Sequence, residues 1–140
     1  MRLFQAFGAA LLGICLASPA VLADDASQSK AQAAASTWLG KIDAGDYAAS
    51  WKDASAYFRG AVPEKSWVGS LEGVRTPLGR KSWRKLKSAD AMKSLPGAPD
   101  GNYVVMQFDA SFEKKASAVE TVTFVEEKDG AWKAAGYLIK

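Results

Sequence analysis

The sequence predicts an α+β domain in which three helices lie on one face of a twisted four-stranded antiparallel sheet. Apolar residues recur at helical spacing through the first half of the chain. In the last third they alternate, one in and one out, as half-buried strands require. A third observation bounds the domain: an apolar stretch with the layout of a removable leader precedes the helices.

That leader opens with Met1-Arg2, continues as an apolar run from Leu3 to Leu16, and ends in ASPAVLADD, with Pro19 and small or apolar residues at Val21 and Ala23. Residues 1–23 therefore read as a signal peptide cleaved after Ala23, with Ala20 the alternative, and residues 24–140 as one domain, periplasmic or secreted. The run is shorter than the roughly 20 apolar residues of a spanning helix, and no transmembrane segment is expected. Cys15 follows Ile14, where a lipid-anchored cysteine would follow a small residue. If Cys15 leaves with the leader, the exported domain has no thiol chemistry. The chain has no histidine, which excludes Ser/His/Asp and Cys/His triads, and a metal site would need carboxylates alone, of which no cluster is visible. No cofactor is expected. The net charge of +3 falls by one when Arg2 leaves, too mild to demand a polyanionic partner.

Ala31, Ala35, Trp38 and Ile42 form one face of the first helix, closed by Ala44-Gly45. Asp46 is placed to cap a second helix carrying Tyr47, Trp51, Ala54 and Phe58. Pro63 opens a third as its first residue, with Trp67, Leu71, Val74 and Leu78 on one stripe. Each stripe must bury itself against something.

The sheet supplies it. WRKLKSA (83–89) reads as a strand, SLPGAPDG (94–101) as a loop, 102–112 as a strand, EKKAS (113–117) as a loop, and 118–128 and 131–140 as a hairpin turning at Asp129-Gly130. A two-residue turn there pairs Glu126 with Lys133, Phe124 with Ala135, Val122 with Tyr137 and Glu120 with Ile139. The five-residue loop pairs Phe112 with Ala118, Ala110 with Glu120 and Phe108 with Val122. One apolar face results, carrying Val104, Met106, Phe108, Ala110, Phe112, Val122, Phe124, Ala135, Tyr137 and Ile139. The other face mixes Tyr103, Val105, Val125, Trp132 and Leu138 with Gln107, Thr121 and Thr123. With no helix left to cover it, it reads as a homodimer interface or as an ordinary mixed surface.

RKSWRKLK (80–87) carries Arg80, Lys81, Arg84, Lys85 and Lys87 around Trp83. In an exported protein it does not point to nucleic acid. It reads as a solvated strand or as an anion contact for lipid head groups, lipopolysaccharide or an acidic protein.

Several stretches resemble one family: GDYAASW (45–51), RTPLG (75–79), LPGAPDGNYVVMQFD (95–109) and ETVTF (120–124). On these the chain looks like the bacterial domain-of-unknown-function family 4019, which brings no assigned activity. More broadly, WLGKIDAGDYAASW, PEKSWVGSLEGVRTPLG and DGAWKAAGYLI resemble the nuclear-transport-factor-2-like, or cystatin-like, cone. Such cones host isomerases, dehydratases, binding modules and assembly domains, so the shape alone selects no activity.

A cone of that kind implies a pocket between helices and sheet, here lined by Trp51, Tyr57, Trp67, Phe108, Glu120 and Tyr137. Glu120 stands out as a carboxylate on an apolar face. It reads as the partner of Arg75 or Arg59, tying helix to sheet, or as a general base with Tyr137 or Tyr57 donating to an oxyanion, a logic that resembles ketosteroid-isomerase-like cones. The expected function is a non-enzymatic binding or interaction module for an envelope protein or a small apolar molecule. A cofactor-independent isomerase or lyase using Glu120 is the alternative.

Overall fold

The computed structural model describes residues 19–140. The apolar run of the expected leader, Cys15 included, lies outside the described residues. Among those described, the order is α1 (Pro19–Asp43), α2 (Tyr47–Lys52), α3 (Ala56–Ala61), α4 (Glu64–Val74), a 3-10 turn (Thr76–Leu78), β1 (Lys81–Met92), β2 (Tyr103–Phe112), β3 (Lys115–Glu126) and β4 (Trp132–Ile139). The class is α+β, with the helices preceding one antiparallel sheet of order β1-β2-β3-β4. No helix among the described residues is long and apolar enough to cross a membrane.

The stripe of α1 is buried as its spacing requires: Ala31, Ala35, Trp38 and Ile42, joined by Leu39. The predicted second helix is two. Its continuation is broken at Ala54, which bridges in parallel to Ala134, while the Ser55 amide donates to the Ala134 carbonyl at 2.8 Å. A backbone donor given to a strand is lost to the helix, so the chain restarts at α3. There Ser55 Oγ caps by accepting from the Phe58 amide at 3.1 Å. Asp46 occupies the N-cap of α2, but its side chain makes no capping bond. Pro63 is the N-cap of α4, not its first helical residue. Trp67 and Leu71 are buried, whereas Val74 is 46% exposed. The helix ends at Val74, and the 3-10 turn carries Leu78 on to pack against Ala110, Phe112 and Ala118.

The inner sheet face buries Val104, Met106, Phe108, Ala110, Phe112, Val122 and Phe124. Trp38 lies at the centre of the main core, its ring 5.8 Å from Phe124, 6.0 Å from Tyr137 and 6.1 Å from Trp67.

Two registers differ from expectation. The β2–β3 turn is only Glu113-Lys114, so Phe112 pairs with Lys115, Ala110 with Ala118 and Phe108 with Glu120. The turn is drawn tight because its two amides donate to the carbonyls of Arg80 and Leu78. Between β2 residues 108 and 110 and their partners the offset is two residues, and side chains alternate with period two, so the faces survive. At the second hairpin, Glu120–Ile139 and Val122–Tyr137 pair as predicted, but Phe124 pairs with Ala134, Val125 with Lys133 and Glu126 with Trp132. Among the described residues no non-glycine has positive φ, and Gly130 sits at φ 85°, so the loop is a three-residue turn ending in a left-handed glycine. A bulge at Ala135 restores the pairing further along. The one-residue offset reverses which side chains face inward: Trp132 and Ala134 join the core in place of Ala135, and no Glu126–Lys133 pair forms.

Among the described residues no helix lies on the outer face. Its corner is covered, however: the 93–102 loop folds over Tyr103, whose hydroxyl donates to the Pro99 carbonyl at 2.6 Å, and Tyr103 is buried.

Candidate functional site

Asp43 is the last residue of α1, where the helix dipole disfavours a carboxylate. Three cations compensate. Arg75, just past α4, donates through both terminal nitrogens to Asp43 Oδ1 at 3.1 Å. Arg84 of β1 donates to Asp43 Oδ2 at 2.8 Å and Oδ1 at 2.9 Å, and Lys81 Nζ stands 3.4 Å from Oδ2. Burial pushes the Asp43 carboxyl up, but the hydrogen bond and charge of Arg84, with Lys81 and Arg75, outweigh it and hold the pKa below its ordinary value.

Glu120 is fully buried. Arg84 grips it with two prongs, Nε to Oε1 at 2.6 Å and Nη2 to Oε2 at 3.1 Å, and the Tyr137 hydroxyl donates to Oε2. Arg75 Nη1 lies 4.0 Å away. Arg84 sits opposite Ala110 on β2, whose methyl leaves room for the guanidinium to cross to β3. Burial works against the charge of Arg84, but its bonds to Asp43 and Glu120 more than offset this and raise its pKa. Burial, the charge of Glu120 and the bond to it push the Tyr137 phenol well above its ordinary value, which keeps it a donor. Arg75 is 3% exposed and stacks 4.5 Å over the Phe112 ring; its Nε is buried without a partner.

The chemistry of this arrangement is that of a lock. Both Glu120 oxygens accept from charged or phenolic donors, and the Tyr137 hydroxyl is already given to Glu120. The network joins the end of α1, the end of α4 and three strands.

Of the six residues expected to line a pocket, the structure brings four together. Glu120 and Phe108 are cross-strand neighbours, Tyr137 bonds Glu120, and the Trp67 ring stands 6.4 Å from that of Tyr137. Trp51 and Tyr57 are engaged elsewhere, Trp51 donating to the Val62 carbonyl at 2.7 Å and Tyr57, 45% exposed, to the Gly97 carbonyl at 2.7 Å. Arg59 bonds the Ala54 carbonyl and not Glu120. The basic stretch divides. Arg84 and Lys81 turn to Asp43, and Arg80, Lys85 and Lys87 are exposed. Among the described residues no three of His, Cys, Asp or Glu gather to hold a metal.

Asp43 and Ser50 escaped the sequence reading. Ser50 is buried where α1, α2 and α4 meet: its carbonyl accepts from Trp38 Nε1 at 2.8 Å and its hydroxyl from Trp67 Nε1 at 2.9 Å. The inward turn of Arg84 had a signal, since it shares strand parity with Leu86, the apolar residue of that strand.

No curated protein matches the chain. The family model described as protein of unknown function (DUF4019) matches residues 34–137, from the middle of α1 to Tyr137 in β4, and so takes in Asp43, Arg75, Arg84, Glu120 and Tyr137. The chain belongs to the DUF4019 family.

Proposed function

We propose that this chain is an exported, non-catalytic protein-interaction module that works in the cell envelope through the outer face of its sheet. The observation that carries the reading is the division between the two faces. The inner face is filled by core and by an ion network whose carboxylate oxygens are all engaged. The outer face presents Val105, Val125 and Leu138 among Gln107, Thr121 and Thr123, with no helix of the described residues above them. A half-apolar surface of this kind suits a protein partner better than a small molecule, for which a sheet face offers no concavity. Export rests on the leader-like layout of residues 1–23.

Site-specific photocrosslinking in the native cell tests the module. A crosslinking side chain at Thr121 is expected to trap one discrete envelope protein, and the same side chain at exposed Ser36 of α1 is expected not to. Equal trapping from both positions, or none from Thr121, overturns the reading. The intact mass of the protein recovered from the envelope tests export: a chain beginning near Asp24 is expected, and one retaining residues 1–23 contradicts it.

A further inference from the structure

The two edges of the sheet are unlike. The β1 edge presents exposed Lys85 and Lys87, the kind of charge that blocks strand addition. The β4 edge from Ala134 to Ile139 carries no charge. Its first part is closed by Ala54 and Ser55 on Ala134. Beyond the Ala135 bulge it is open. Val119 and Lys140 exchange both backbone hydrogen bonds, at 2.9 and 3.0 Å, so by the alternation of an antiparallel ladder Leu138 and Gly136 also bond to β3. Tyr137 and Ile139 therefore direct their N–H and C=O groups away from the sheet, and among the described residues no loop or side chain bonds them. A groove of about 120 Å³ runs beside this edge, walled by Trp67, Leu71 and Val74 of α4. Leu138, 53% exposed, and Val74, 46% exposed, lie on it.

We propose that a second copy of this chain docks on the β4 edge, its own β4 antiparallel to the first about a two-fold axis at Leu138, so that the two sheets become one. The register follows from the residues. An axis at Leu138 sets Tyr137 opposite Ile139 of the other copy, each with its backbone groups turned outward as a bonded pair needs. It sets Leu138 against itself, covering the exposed apolar side chain, and Lys140 against Gly136, so no like charges face each other. An axis at Tyr137 would run the partner into the bulge at Ala135 and the closed edge at Ala134. Head-to-tail addition of β4 to β1 would bring Lys133 and Lys140 against the basic β1 edge, which disfavours an open chain and leaves the closed pair. Leu138 pairs with Thr121 on the outer face, so this seam adjoins the surface of the proposed function, and sedimentation of the purified chain reads the dimer with no other partner present.

Sedimentation of the full-length gene product, as the cell processes it, tests this over a wide concentration range. A monomer–dimer equilibrium is expected. Leu138→Lys should abolish the dimer without changing the melting temperature read at concentrations where the wild type is monomeric, because Leu138 is half in solvent, and Gln107→Lys on the outer face of β2 should retain it. In a Cys15→Ser background, Leu138→Cys should form a disulfide-linked dimer under mild oxidation, since the Cα atoms at such an axis lie about 4.5 Å apart; Thr121→Cys should not. A wild-type chain that stays monomeric overturns the proposal. So does a dimer that survives Leu138→Lys, or one dissolved by Gln107→Lys. Failure of Leu138→Cys to crosslink counts equally against it.

Discussion

Arg84 reaches across β2 to hold Glu120 by both carboxylate oxygens, at 2.6 and 3.1 Å, and the same guanidinium binds both oxygens of Asp43. One side chain from a strand that reads as solvated thereby ties the two carboxylates of the core to each other and to the helices.

Glu120→Gln should destabilise the fold by about 3–5 kcal/mol, because it leaves Arg84 desolvated with half its charge balance gone. Replacing Glu120 and Arg84 together by methionine should recover part of that loss, since no unpaired member of that pair then stays buried. Urea unfolding of the single and double variants measures both. A Glu120→Gln protein as stable as wild type would show that the pair does not hold helix to sheet.

Asp43 and Tyr137 set opposite limbs of the pH–stability curve. The folded pKa of Asp43 lies below its ordinary 3.8, so below that value the unfolded chain binds more protons; the stabilisation is complete above 3.8 and is lost as the pH falls through the folded pKa. The folded pKa of Tyr137 lies above its ordinary 10.0, so its contribution is complete below 10.0 and declines as the pH rises beyond it. Asp43→Asn should flatten the acid limb and Tyr137→Phe the alkaline one, read as the free energy of unfolding at each pH. Unchanged slopes would contradict the assignment.

Ser50→Ala should cost about 1–3 kcal/mol, since it strips the buried Trp67 indole N–H of its acceptor while the Trp38 bond, made to the Ser50 carbonyl, persists. Ser70→Ala, exposed on α4, is the control and should change little. Thermal melts compare the two, and equal effects would remove Ser50 as the junction of the three helices.

Gly130→Ala should cost about 1–2 kcal/mol, because a Cβ is strained at φ 85°. A two-residue hairpin turn would need positive φ at Asp129 as well, which the structure does not have. Loss of stability without loss of fold, seen by circular dichroism and denaturant titration, is the expected result; an indifferent Gly130→Ala protein would argue for a different turn.

By itself the sequence determined the class, the order of helices before strands, and most of the inner face. Trp38, Trp67, Phe108, Phe124 and Val122 are buried because their spacing matches the helix and strand periods, and burying them is the largest favourable contribution. Glu120 was legible as the anomaly of that face. Tertiary structure alone decided where the periods break and who answers the anomaly. The Ser55 amide pairs with a strand far along the chain, so the second helix stops. The loop before β4 holds one residue more than its Asp-Gly signal implies, so Trp132 turns inward. Arg84 lies among lysines in sequence but reaches across a neighbouring strand to its partner. Periodicity reports which side of an element is apolar. It carries no information about which distant charge will pay the desolvation of a buried carboxylate, because that depends on three-dimensional reach alone.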